Sequence, residues 1–113
     1  MLIYRKNILL KLQKQNTGNT KLCKEIDRLI ADLEAYRQGR KRIKDIRPDA
    51  DCVHSERFYF FDIHVHRTLV LIETEGEGEA TIVWAGTHRE YEETFKNNRA
   101  SIEKWLRRNN HIE

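Results

Sequence analysis

Thr81-Ile82-Val83-Trp84-Ala85-Gly86-Thr87-His88-Arg89-Glu90-Tyr91 changes character at its midpoint. Thr81–Trp84 is β-branched and aromatic and reads as a strand. Beyond Gly86 the pattern turns helical, with Tyr91, Phe95, Ile102, Trp105 and Leu106 near one side. Thr87 and Glu90 stand three apart, the spacing of a capping box. A strand that runs straight into a helix places this chain in the α+β class. Asn97 and Asn98 offer a break that divides the C-terminal helix in two.

Working backwards, Thr68–Glu73 and Arg57–Ile63 are two more stretches with strand composition. Glu75-Gly76-Glu77-Gly78-Glu79 is a glycine-bearing hairpin loop whose acidity marks it as solvated. The first half has a different period. Leu22, Ile26, Leu29, Ile30 and Leu33 form one apolar helical stripe, which Asn19 or Thr20 can cap. Ile8, Leu9 and Leu12 mark a helix within Arg5–Gln15. Met1–Tyr4 reads as an edge strand, with Leu2 and Tyr4 on one face. Gly39 stops the second helix, and Arg40-Lys41-Arg42 opens a basic link that ends near Pro48. The expected order is β-α-α-β-β-β-α: two N-terminal helices packed on a small, mainly antiparallel sheet, with a C-terminal helix. Residues 1–113 form a single domain, since 113 residues leave little room for a second core.

Charge is unevenly spread. Residues 1–49 carry 13 Lys+Arg against 6 Asp+Glu, and residues 50–113 carry 8 against 12. A basic half suits a polyanionic partner, although solvated helix faces have the same composition. No apolar run is long enough to span a bilayer, and Arg5, Lys6 and Lys11 interrupt the apolar start, so a cytoplasmic protein with no membrane partner is expected. Cys23 and Cys52 lack metal-ligand spacing. Cys23 reads as a small core residue, and one disulfide stays open as an alternative. No Walker loop, dinucleotide fingerprint, zinc ribbon or nucleophile elbow is present in the sequence.

The residues with chemistry gather at strand ends: His64, His66 and Arg67, then Thr87 to Tyr91. On a strand, His64 and His66 share a face and invite a metal; in a turn that argument fails. Thr87 and Glu90 have an ordinary explanation as a helix cap, and Tyr91 as a core residue. The helix-cap explanation says nothing about His88 or Arg89.

The stretch from Pro48 to about residue 93 resembles the HigB family of toxins from bacterial toxin–antitoxin pairs, within the RelE-like group. The likeness rests on Ala50-Asp51-Cys52-Val53, on Phe58–Ile63, on Arg67-Thr68-Leu69-Val70-Leu71-Ile72, and above all on Gly86-Thr87-His88-Arg89-Glu90-Tyr91. Two features depart from the family pattern: His64-Val65-His66 replaces a glycine- or asparagine-bearing turn, and the tail from Thr94 to Glu113 is longer and more helical.

The resemblance implies a RelE-like fold and an endoribonuclease that cuts messenger RNA on the ribosome by metal-independent transesterification, with no cofactor. It also implies a neutralising antitoxin, expected to be a helix-turn-helix protein, through which alone operator DNA is contacted. Arg67 is then suited to hold the scissile phosphate, since a guanidinium bonds two phosphate oxygens at once. Its ordinary alternative is a salt bridge to Glu90 or a sheet-edge charge. His88 is the first acid–base candidate. Glu90 would orient it or act as base, and Tyr91 would bond phosphate or stack on a base. Arg89 and Lys96 would hold flanking phosphates, with His64 and His66 as further RNA-binding or acid–base groups. Arg37, Arg40, Lys41, Arg42, Lys44 and Arg47 would meet ribosomal RNA or an acidic antitoxin segment. The competing readings are a toxin acting on gyrase, as in the ParE group, and a binding module without activity.

Overall fold

A computed structural model describes residues 1–37, 41–55 and 57–113. Five strands and five helices follow one another as β1 (Leu2–Tyr4), α1 (Asn7–Gln15), α2 (Thr20–Ala35), α3 (Ile43–Ile46), β2 (Asp51–His54), β3 (Phe58–Ile63), β4 (His66–Glu73), β5 (Glu79–Thr87), α4 (His88–Phe95) and α5 (Arg99–Arg108). The strands form one sheet in the order β1-β5-β4-β3-β2. Only β1 pairs parallel, against β5; the other three pairings are antiparallel. The α+β class and the mainly antiparallel sheet are therefore as expected. Among the described residues no helix is long and apolar enough to cross a membrane.

Two elements were not anticipated. The link before Pro48 holds the short helix α3, and Asp51–His54 adds an edge strand against β3. Four residues with one buried apolar side chain, Val53, leave too little alternation for a strand to be read from sequence. The C-terminal helix is divided in two, as Asn97 and Asn98 suggested. Lys96 and Asn97 both take left-handed φ values, 55° and 46°, and the Asn98 side chain caps α5 by accepting from Ala100 and Ser101. The expected stop at Gly39 lies outside the described residues; α2 ends at Ala35.

The sheet has a core on each face. On one side Leu22, Ile26, Leu29, Ile30 and Leu33 of α2 and Leu9 of α1 cover Phe61, Ile63, Val70, Ile72, Ala80 and Ile82. Asn19, not Thr20, caps α2 by accepting the Leu22 N–H at 3.1 Å. On the other side Tyr91, Phe95, Ile102 and Leu106 of α4 and α5 cover Val53, Phe58, Phe60, Leu69 and Val83. Alternation along each strand divides its side chains between the two cores. Leu2 and Tyr4 share the outward face of β1 and stay exposed.

One irregularity sets the geometry of the functional end. Leu69 pairs with Trp84 and Val70 with Ile82, so Val83 is an extra residue in β5. Such a bulge directs two consecutive side chains to one face, and Val83 and Trp84 both join the α4–α5 core. Beyond the bulge, Gly86 lies opposite Arg67 and Thr87 opposite His66. A β-carbon on Gly86 would stand 2.7 Å from Cζ2 of Trp84, so glycine is required there.

Cys23 is half-buried rather than a core residue, with its thiol against the carbonyls of Asn16 and Gln13 at 3.4 and 3.7 Å. Cys23 and Cys52 are both free thiols.

Candidate active site

The chain leaves β3 through a tight turn at His64 and Val65 and returns at once as β4, with Ile63 paired to His66. His64 takes a φ of 62° in that turn. Of the two readings left open for His64 and His66, the turn holds and the shared strand face does not: His64 is an exposed turn residue, and His66 is the first residue of β4, facing the α1–α2 side. Among the described residues no group of three or more His, Cys, Asp or Glu side chains is placed to hold a metal ion.

The β5–α4 junction lies beside this turn. Thr87 pairs with His66, and the His88 N–H donates to the Val65 carbonyl at 3.2 Å. Thr87 and Glu90 form the expected capping box: Thr87 Oγ1 accepts the Glu90 N–H at 3.0 Å, and a Glu90 carboxylate oxygen accepts the Thr87 N–H at 2.9 Å. Hydrogen bonding from the Thr87 N–H first, and from the Thr87 side chain second, holds the Glu90 carboxyl below its ordinary pKa, so it is a settled anion and a weak base.

His66 is 7% exposed, and its Nδ1 is buried with no hydrogen-bond partner. Burial lowers its pKa; the Glu90 charge opposes that, and His64 and His88 add to it. The hairpin tip and the α4 start therefore bring His64, His88 and Glu90 each within electrostatic reach of His66. His64 and His88 are exposed and flank the buried neutral imidazole.

Arg67 is oriented otherwise. Next to His66 on β4, it points to the opposite face, among the α4–α5 residues. Its Nε donates to Asp62 at 3.0 Å, and a terminal nitrogen lies 3.8 Å from Asp51. Its guanidinium carbon lies 5.1 Å from the centre of the Phe60 ring and 4.6 Å from that of Tyr91. The side chain is 14% exposed. The expected salt bridge to Glu90 is absent among the described contacts; the partners are Asp62 and Asp51. Nor is Tyr91 offered to a nucleotide: it is buried, and its hydroxyl donates to Asn97 Oδ1 at 2.9 Å. Arg67 and Tyr91 thus fix α4 to the sheet.

Arg89 is exposed and donates to Glu93 on the helix surface at 3.1 Å. Lys96 is exposed at the left-handed end of α4. Arg42 and Lys44 are exposed at α3, where Arg42 pairs with Asp45 at 3.4 Å. Arg40 lies outside the described residues. Arg47, expected at a polyanion surface, is buried instead. It reaches Asp49 at 2.8 Å, the Asp62 carbonyl at 3.1 Å and Asp32 at 3.3 Å, and lies over the Phe61 ring. Asp49 and Asp62 escaped the sequence reading; carboxylates in loops and strands carry no local signal for the arginine they pair with.

No family model matches the chain, no curated protein matches it, and no solved structure matches it.

Proposed function

We propose that this chain is an RNA-cleaving toxin of the RelE-like HigB kind, acting on messenger RNA at the ribosome and neutralised by a partner antitoxin. The observation that carries the reading is the grouping of three imidazoles and one fixed carboxylate where the β3–β4 turn meets the start of α4. The reaction is attack of the ribose 2′-oxygen on the adjacent phosphorus. The P–O bond to the 5′-oxygen breaks, leaving a 2′,3′-cyclic phosphate and a 5′-hydroxyl. One group takes the 2′-hydroxyl proton and another protonates the leaving oxygen, and imidazole titrates in the range both steps need.

In this reading His64 and His88, both solvent-exposed, are the proton-transfer pair. His66 stays neutral between them and limits mutual repulsion, and Glu90 supplies a steady negative charge. Arg89, held only by a surface ion pair of small worth, turns to the phosphate. Arg67 acts as a positioning residue, because a phosphate would have to displace Asp62 to reach it. The basic helix surfaces in the first half meet ribosomal RNA.

The test is incubation of purified protein with messenger RNA, with and without ribosomes, followed by mapping of new ends. Cyclic-phosphate termini within translated codons, lost in both His64→Ala and His88→Ala, support the proposal. Intact transcripts with damaged DNA in expressing cells, or full cleavage by both variants, would overturn it.

A further inference from the structure

The sheet has two edges, and they are finished differently. The β2 edge carries the charged Asp51, a register irregularity between Cys52 and His54, and Arg99 on the Cys52 carbonyl at 3.3 Å. Charge and irregularity keep an edge strand from pairing further. The β1 edge has neither. Leu2-Ile3-Tyr4 holds no charge and no proline, its register against β5 is unbroken, and among the described residues no strand covers its outer side. Ile3 packs against the α1–α2 core, while Leu2 and Tyr4 are 64% and 46% exposed on the other face.

The two ends of β1 differ in charge. Leu2 lies level with Glu79, so its end adjoins the β4–β5 hairpin, where Glu73, Glu75, Glu77 and Glu79 are all exposed. The cations there are Arg37 and the Met1 ammonium, and the ammonium donates to the Glu34 carbonyl at 2.8 Å. Four carboxylates against these two cations leave the end acidic. Beyond Tyr4 stands Arg5, exposed and left-handed with a φ of 59°. Lys6 beside it is neutralised by Glu34 at 3.4 Å, and His111, within electrostatic reach of Arg5, supplies no negative charge. Among the described contacts Arg5 has no ion-pair partner, so this end is basic. A strand that is apolar in the middle, acidic at one end and basic at the other is complementary to its own reversed copy.

We propose that β1 is the contact through which two copies of this chain pair, antiparallel, about a two-fold axis at Ile3. Leu2 then stands opposite Tyr4 of the other copy, an aliphatic–aromatic cross-strand pair made twice. Arg5 stands opposite Met1 of the other copy, beside its acidic hairpin, and this contact too is made twice. The two sheets join into one. Because the copies run antiparallel, their β5–α4 junctions lie at opposite ends of the joined sheet. The pairing is independent of the RNA reading. One short strand and its flanks bury less than the roughly 1,200 Å² of a standard interface, so a weak dimer is expected, with a dissociation constant on the order of 10–100 µM.

Sedimentation velocity of the full chain over about 5–500 µM brackets that constant. Leu2→Lys/Tyr4→Lys sets lysine opposite lysine and is expected to weaken the dimer more than about tenfold. Leu10→Lys/Val65→Lys adds the same charge at exposed apolar positions outside β1 and is expected to change it less than about threefold. Circular dichroism checks that each variant is folded. Register is read from a charge exchange. Arg5→Glu alone, and Glu77→Lys/Glu79→Lys alone, are each expected to weaken the dimer about tenfold at low salt. An equal mixture of these two proteins restores opposite charges at both ends and is expected to dimerise with wild-type affinity. A monomer at every concentration, equal effects of the two lysine pairs, or a mixture that dimerises no better than its components would overturn the proposal.

Discussion

The guanidinium of Arg67 lies on the ring of Tyr91, with its carbon 4.6 Å from the ring centre, while Phe60 stands 5.1 Å away. This stack joins β4 to α4 across the sheet face. His88 begins the same helix, three residues before Tyr91. The direction of α4, and hence the place of His88 beside the hairpin turn, depends on a contact far more buried than the site it serves.

Replacing Arg67 with Met removes the ion pair to Asp62 and keeps an apolar side chain between the rings. A loss of about 1–3 kcal/mol is expected, since the partner carboxylates can rehydrate and only the stacked cation is lost outright. Urea unfolding measures it. Under the positioning role, the folded fraction of Arg67→Met keeps measurable RNA cleavage in conditions where His88→Ala has none. Equal inactivity of the two would return Arg67 to the phosphate.

Gly86→Ala brings a β-carbon to within 2.7 Å of Trp84 Cζ2 and 3.3 Å of Glu90 Cβ. The indole must shift, at a cost of about 1–3 kcal/mol for overpacking. A changed Trp emission maximum together with a lower unfolding midpoint is the expected signature. An unchanged midpoint would show that β5 yields without strain.

Thr87→Ala removes the acceptor for the Glu90 N–H and is expected to cost about 1 kcal/mol, with Thr87→Ser restoring most of it. The same change leaves the residue-87 N–H on the Glu90 carboxylate and removes only the hydroxyl's smaller share, so the Glu90 pKa rises part of the way and stays below its ordinary value. Carboxylate titration followed by NMR in the Ala and Ser variants checks both effects.

Stability should fall on acidification in two windows. His66 and His111 have folded pKa values below the ordinary 6.5, each mainly through burial. As pH drops below 6.5, the unfolded chain takes up protons that the folded protein resists, so stability declines towards the folded pKa values. Glu90 and Asp45 have lowered values, so their contribution is present above the ordinary carboxylate range and is lost as pH falls through the folded pKa values. His66→Leu should flatten the upper window and change the lower one only slightly, because the Thr87 hydrogen bonds, and only lastly the His66 charge, hold Glu90 down. Urea midpoints measured at a series of pH values decide this; an unchanged upper slope in His66→Leu would remove His66 as its source.

Much of the framework was legible because it is local. The α2 stripe from Leu22 to Leu33, the Asn19 cap, the Thr87–Glu90 box and the break at Asn97 and Asn98 all follow from spacing within a turn or two of chain. The edge strand β2 and the helix α3 were missed because each is only four residues long. Hydrophobic period needs several repeats before it separates strand from helix.

The amino-acid sequence by itself determined the class of the fold, the caps that start α2 and α4, and the collection of histidines near residues 64 to 88. Tertiary structure alone decided which face each functional side chain takes. The bulge at Val83 sets Gly86 opposite Arg67, and the turn at His64 separates two histidines that alternation would have placed together. It also decided the arginines: Arg47 and Arg67 are drawn inward by Asp32, Asp49 and Asp62. Pairing of charges across the fold depends on three-dimensional distance, and no spacing along the chain encodes it.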